Sequence, residues 1–174
     1  MTSIKFHIFE TEQIDFIVFN SPNQNDPSSI TLLNNAINTY NICLIFRLCE
    51  QLYDANEIYN CKIIDMEIKD GSFPDNIIIE KYLSYITDCI KTNNYNSFKG
   101  TKKPCIGIHC RAGLGRAPVF AAIGLMNYNK YDDYVDIVKM IREKIKGAIN
   151  IVQLTELALY NPIKAKKCNK CIIC

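Results

Sequence analysis

Three observations predict an α/β domain built on a central, mostly parallel sheet with helices on both faces: strand-like runs alternate with helical ones, the strands read as continuously apolar, and one strand runs straight through a double-glycine turn into an apolar helix. The chain has 174 residues, 48 % of them hydrophobic and 22 % charged, which suits one globular domain and excludes both a disulfide mini-protein and a disordered chain. A formal net charge of +2 gives no global field that would make nucleic acid the default partner. Nine cysteines at positions 43, 49, 61, 89, 105, 110, 168, 171 and 174 lack the even count of a secreted framework, so reduced cytosolic thiols are expected. Glu10 and Glu12 interrupt any secretory core near the N-terminus, and no apolar run approaches the ~20 residues of a membrane span.

The elements follow in chain order. Ile4 to Phe9 and Ile14 to Phe19 read as strands. The turn-forming stretch Asn20 to Pro27 leads to a helix capped by Ser28 or Ser29 and reaching Tyr40. Ile42 to Leu48 is an apolar, branched strand ending at Cys49, and Cys61 to Met66 is another. After the loop Glu67 to Pro74, Asp75 caps a helix whose Ile78, Tyr82, Leu83, Tyr85, Ile86 and Ile90 recur at helical spacing. Asn93 to Lys103 reads as a polar connector, and Pro104 to His109 as a strand. Helices are then expected from Ala117, from Tyr131 to Ile145 and from Ile151 to Tyr160, with Gly147 as a C-cap. Nothing divides the domain internally; it is expected over 1–162, with a basic tail over 163–174.

The segment His109-Cys110-Arg111-Ala112-Gly113-Leu114-Gly115-Arg116 carries the chemistry. Its glycines let backbone amides turn inward, and the following helix adds its positive end, so a phosphate dianion is held by residues 111–116. Arg116 completes the cradle with a planar fork that grips two oxygens. Cys110 opens the loop where amide dipoles and a guanidinium favour anionic sulfur, which places a nucleophile under phosphorus. Packing alone would explain an isolated cysteine, but here the Cys-x5-Arg spacing, the preceding strand and the following helix agree. A Walker-type nucleotide loop fits less well because the Gly-Lys-Ser/Thr ending is absent.

At these residues the sequence resembles the cysteine-dependent tyrosine phosphatases, and among them the phosphatase of regenerating liver (PRL, type IVA) family of small prenylated enzymes; the string His109 to Pro118 is close to that family's own loop, and the likeness extends from about Ile14 to Pro162 and into the tail. It implies a single cysteine-phosphatase domain acting on phosphoproteins or phosphoinositides, with no cofactor and no metal. Other tyrosine phosphatases place Ser or Thr after the arginine to help the cysteine leave; Ala117 has no hydroxyl, so the resemblance implies a phosphocysteine that persists and a slow enzyme.

Transfer to Cys110 needs a proton donor on a separate loop. Asp70, before Gly71, stands where the family carries its acid, with Asp65 and Asp75 as alternatives. The family pattern Trp-Pro-Phe-Asp-Asp-Gly is here Met66-Glu67-Ile68-Lys69-Asp70-Gly71, so the family's loop rigidity and closure are not carried over with it. The resemblance also places Cys49 within disulfide reach of Cys110 as a resolving thiol, against a plain reading as a small buried residue. Cys43, Cys61, Cys89 and Cys105 fall in apolar patterns and are expected in the core. His109 is expected to orient the loop, and Gln153 to position water unless it is simply a solvated helix residue. Arg111 replaces a small apolar residue of the family and either attracts acidic substrates or faces solvent.

The tail Lys164-Ala165-Lys166-Lys167-Cys168-Asn169-Lys170-Cys171-Ile172-Ile173-Cys174 joins a basic cluster to a Cys-aliphatic-aliphatic-X box, which points to prenylation of Cys171 with lysines as the second membrane signal. A thiolate metal site on Cys168, Cys171 and Cys174 is the rival, one ligand short of a closed zinc site. The expected location is the cytoplasmic face of membranes, with a cytosolic pool when unprenylated. A second reading, from the resemblance, is a binding regulator of CNNM-type magnesium transporters that uses the same pocket.

Overall fold

A computed structural model describes residues 3–23, 25–96, 103–128 and 133–162. Five strands, β1 (His7–Phe9), β2 (Asp15–Asn20), β3 (Ile42–Arg47), β4 (Lys62–Asp65) and β5 (Cys105–Cys110), form one sheet in the order β1-β2-β5-β3-β4. Only β1 is antiparallel to its neighbour; the other pairings are parallel, as the apolar strands predict. The helices are α1 (Pro27–Tyr40), α2 (Asn76–Asn96), α3 (Arg116–Tyr128), α4 (Tyr134–Lys144) and α5 (Ile151–Leu159).

Alternate strand residues feed two cores. Ile17, Phe19 and Ile45 face Leu33 and Ile37 of α1, whereas Phe16, Val18, Phe46 and Ile108 face the layer made by α2 to α5. The α3 helix lies deepest, every residue from Arg116 to Leu125 being buried. Gly124 permits that depth: a Cβ there would lie 2.6 Å from the Phe16 ring and 2.9 Å from the Tyr82 hydroxyl.

Several boundaries differ from expectation for local reasons. The β1 ladder starts at His7 because the Lys5 N–H donates to the Asn20 side chain at 2.8 Å. Asp26, not Ser28 or Ser29, caps α1; Pro27 preorganises its first turn and the Ser29 hydroxyl is taken by the Asn23 carbonyl. Asp75 caps α2 as expected, accepting from the Ile78 N–H at 2.8 Å, but that helix runs past Asn93 to Asn96. Asp133 caps α4, while 131–132 lie outside the described residues. Gly147 does adopt φ +78, yet α4 ends earlier, at Lys144, with Ile145 as its C-cap.

Candidate active site

In a parallel sheet, strand carboxyl ends converge on one edge. Here that edge brings together Cys110 at the end of β5, Leu48 and Cys49 just past β3, and the β4–α2 loop that carries Asp70. The loop from Cys110 to Arg116 is strapped to β2: Ser21 N–H donates to the Cys110 carbonyl at 2.9 Å and lies 3.2 Å from that of Arg111. Gly113, at φ +74, sits so close to β2 that a Cβ would lie 3.2 Å from the backbone of Phe19 and Asn20.

Cys110, Gly113, Arg116 and Ala117 are buried, while Ala112 and Leu114 are exposed at the rim beside the half-buried Gly115. The Arg111 side chain does not enter the cradle; it is exposed and ion-paired with Glu50, whose carboxyl it holds below the usual range. Arg116 Nη1 donates to the carbonyls of Leu48 (3.2 Å) and Ile68 (3.0 Å), so one guanidinium joins the β3 end to the β4–α2 loop. Its Nε lies 3.2 Å from Asp70 Oδ1, but without hydrogen-bond alignment, which leaves a buried donor unsatisfied beside the loop.

Asp70 is thus brought to Arg116, while both alternatives are otherwise engaged. Asp75 caps α2, and Asp65 accepts from Arg47 at 2.5 and 3.0 Å, which holds its carboxyl below the usual range. The β4–α2 loop is fixed without the Trp-Pro pair of the family pattern. Ile68 N–H donates to the Leu48 carbonyl (3.3 Å), Asn150 Nδ2 to the Gly71 carbonyl (3.0 Å) and Gln153 Nε2 to the Ser72 carbonyl (3.0 Å). Gln153 is fully buried, so its reading as a solvated helix residue is wrong: its Oε1 accepts from Asn150 N–H in a capping box, and it adjoins Gly115.

The turn before α5 links both loops. Ile149 has φ +63, a conformation that costs a branched residue roughly 1–3 kcal/mol. It is held by its N–H on the Leu114 carbonyl (2.9 Å) and by Arg142 Nη2 on its own carbonyl (2.8 Å).

His109 is completely buried, its Nε2 2.9 Å from the Tyr53 hydroxyl and its ring stacked on Phe19. Burial, with the Arg47 charge, pushes its pKa down to about 3, so it is neutral in the folded protein. Arg47 also donates to the Tyr53 carbonyl at 2.8 Å, so a chain runs from Asp65 through Arg47 and Tyr53 to the residue before Cys110. Cys49 is a buried free thiol, pushed up to about 11 by burial and then by the neighbouring Cys110. Cys171, with Cys168 and Cys174, lies outside the described residues.

No protein-family model matches the chain. It is 34 % identical to mouse protein tyrosine phosphatase type IVA 3, covering 79 % of this chain and 76 % of that protein. It is 33 % identical to the Trypanosoma cruzi protein tyrosine phosphatase PRL-1, over 84 % and 78 %. Among solved structures, one named as a protein tyrosine phosphatase from Leishmania major superposes with a TM-score of 0.76 at 25 % identity, covering 90 % of this chain and 98 % of the other. Kinase-associated phosphatase, with serine in place of its catalytic cysteine, shares the fold at TM-score 0.66 and 20 % identity, over 90 % and 93 %.

Proposed function

The chain belongs to the type IVA (PRL) protein tyrosine phosphatase family, and on that premise we propose that it hydrolyses phosphomonoesters, with dual-specificity character, through a phosphocysteine at Cys110. The Cys110 sulfur attacks phosphorus, the bond to the substrate oxygen breaks, and Asp70 gives that oxygen its proton. Arg116 and the amides of 111–116 carry the phosphoryl charge. Water then attacks phosphorus, returns its proton to Asp70 and releases inorganic phosphate and the Cys110 thiolate. Gln153 keeps one Nε2 hydrogen beyond its bond to Ser72 with which to hold that water. Ala117 supplies no hydroxyl to ease sulfur departure, which makes the second step slow.

One observation carries this reading: the acid-bearing loop is joined to the phosphate loop through Arg116, which lies 3.2 Å from Asp70. Rapid mixing with p-nitrophenyl phosphate is expected to release one nitrophenol per chain, followed by slow turnover, and Cys110→Ser is expected to lose both. Turnover that persists in Cys110→Ser overturns the mechanism.

The same anion cradle, when it holds no phosphoryl group, suits a binding role in which the loop grips an acidic side chain of a CNNM-type magnesium transporter; capture from membranes by the wild type and its loss with Arg116→Ala would support it. Among the described residues no helix is long and apolar enough to cross a membrane. We assign attachment to the tail, on the strength of Cys171-Ile172-Ile173-Cys174 and the lysines before it. Release of Cys171→Ser to the soluble fraction is the expected result; retention on membranes overturns the anchor.

A further inference from the structure

We infer that Cys43 and Cys89 form a second redox dithiol, closed to a disulfide by peroxide at the end of the sheet opposite Cys110. Neither sits in the sealed core expected of it. Both are partly exposed and line one cleft of about 480 Å3 with Tyr85, Lys62 and Pro104.

The placement follows from the fold. Tyr82 and Tyr85 of α2 pack edge-on against Phe46 of β3, with ring centroids 4.8 and 6.0 Å apart. Cys89 is one helical turn beyond Tyr85, so it follows the same face onto the sheet. Cys43 is displaced to meet it by an irregularity between Ile42 and Leu44, where β3 carries one more residue than β5. Its sulfur donates to the Cys105 carbonyl at 3.4 Å and shares the cleft with Cys89. Cys105 begins β5 and Cys110 ends it, about 16 Å apart at strand rise, so the pair is separate from the catalytic cysteine.

The two thiols are unequal. Contact with Cys43 lowers the Cys89 pKa, with Lys62 adding to it, while Cys43 is held as a thiol by that same contact and by burial. Cys89 is therefore the first to react. Its thiolate takes one oxygen from hydrogen peroxide as the O–O bond breaks, giving a sulfenic acid and hydroxide, which becomes water on protonation. The Cys43 sulfur then attacks the Cys89 sulfur, the S–O bond breaks, and the hydroxyl leaves with the Cys43 proton as a second water. Two thiols are oxidised by two electrons and one peroxide is reduced. Among the described residues no group of three His, Cys, Asp or Glu is placed to hold a metal, so the cluster is read as a thiol pair.

The consequence is a covalent staple between the start of β3 and the second half of α2. The test uses the full chain treated with hydrogen peroxide, alkylated and digested. A peptide linking Cys43 to Cys89 is expected, cleaved by dithiothreitol and absent from Cys43→Ala and Cys89→Ala. The melting temperature should rise on oxidation by on the order of 5 °C, and that rise should vanish in Cys43→Ala, whose reduced form keeps wild-type turnover. Full alkylation of both thiols after Cys110 has been oxidised overturns the inference, and so does recovery of Cys89 linked to Cys61.

Discussion

Arg116 and Asp70 face each other across two loops, Nε to Oδ1 at 3.2 Å, yet their side chains differ sharply in freedom: the guanidinium is 7 % exposed and the carboxylate 86 %. The arginine is pinned by two carbonyls and keeps a buried Nε–H without an aligned acceptor. A phosphate oxygen would satisfy that donor, and Asp70 is free to move to the leaving group as it does so.

Asp70→Ala should therefore slow formation of the phosphoenzyme by about 10²-fold or more for alkyl phosphates and phosphotyrosine, and far less for p-nitrophenyl phosphate, whose leaving group needs little help. Single-turnover rates across leaving groups of graded pKa check this. Equal losses for all of them would remove Asp70 from the acid role.

The capping box of α5 is expected to have two separable functions. Asn150 Oδ1 accepts from the Gln153 N–H at 2.8 Å, while its Nδ2 donates to the Gly71 carbonyl beside Asp70. Asn150→Ala loses both and should cost ~1 kcal/mol of stability as well as rate. Asn150→Asp keeps the cap and loses only the loop bond, so stability should be nearly retained while phosphoryl transfer slows. Urea titration and burst kinetics on the two variants read these effects apart.

The loop from Cys110 to Arg116 was legible because chemistry that grips a dianion needs glycine, cysteine and arginine at fixed spacing, whereas Asp70 was reached only through the resemblance, since a carboxylate before a glycine is also the mark of a plain turn. Arg47 was not, although a charge inside the apolar run Ile42 to Leu48 demands a partner, and Asp65 stands opposite it in the β3–β4 register. Asn150 and Gln153 carried the spacing of a capping box, a signal visible in the sequence. What they hold is not: their bonds to Gly71 and Ser72 span about eighty residues, and only the fold brings those carbonyls to α5.

Stability should fall with acid between the two states of His109. Buried and neutral, it titrates near 3 in the folded protein against an ordinary 6.5, so below 6.5 the unfolded chain binds the extra proton. This contribution is fully present above 6.5 and is lost as pH falls toward 3. The Asp65 carboxyl, lowered by Arg47, acts in the same direction at the acid end. The unfolding free energy measured from pH 6.5 to 4 should slope by up to one proton, and His109→Gln should flatten it; an unchanged slope would assign the proton elsewhere.

Ala117→Ser should raise steady-state turnover by about tenfold, or ~1.4 kcal/mol off the second barrier, while leaving the burst rate unchanged. The residue is fully buried in the first turn of α3, next to Arg116, so the new hydroxyl lies at the base of the phosphate loop. A phosphoenzyme lifetime that does not shorten would show that sulfur departure is not the slow step.

Cys49 and Cys110 should behave as a protective pair whose roles are set by their surroundings. Burial, the nearby Cys110 sulfur and Glu50 push Cys49 up to about 11, although Arg116 and Arg47 pull the other way, so at neutral pH it is a thiol and not the first site of oxidation. Peroxide should convert Cys110 to a sulfenic acid, which Cys49 then attacks, releasing water and closing a disulfide. Activity should disappear and return with dithiothreitol. In Cys49→Ser the same dose should inactivate irreversibly as Cys110 advances to sulfinic acid, a gain of two oxygens that intact-mass measurement resolves. If Cys49→Ser recovers fully on reduction, or peptide mapping joins Cys110 to another cysteine, Cys49 has no resolving role and its burial beside the loop is packing alone.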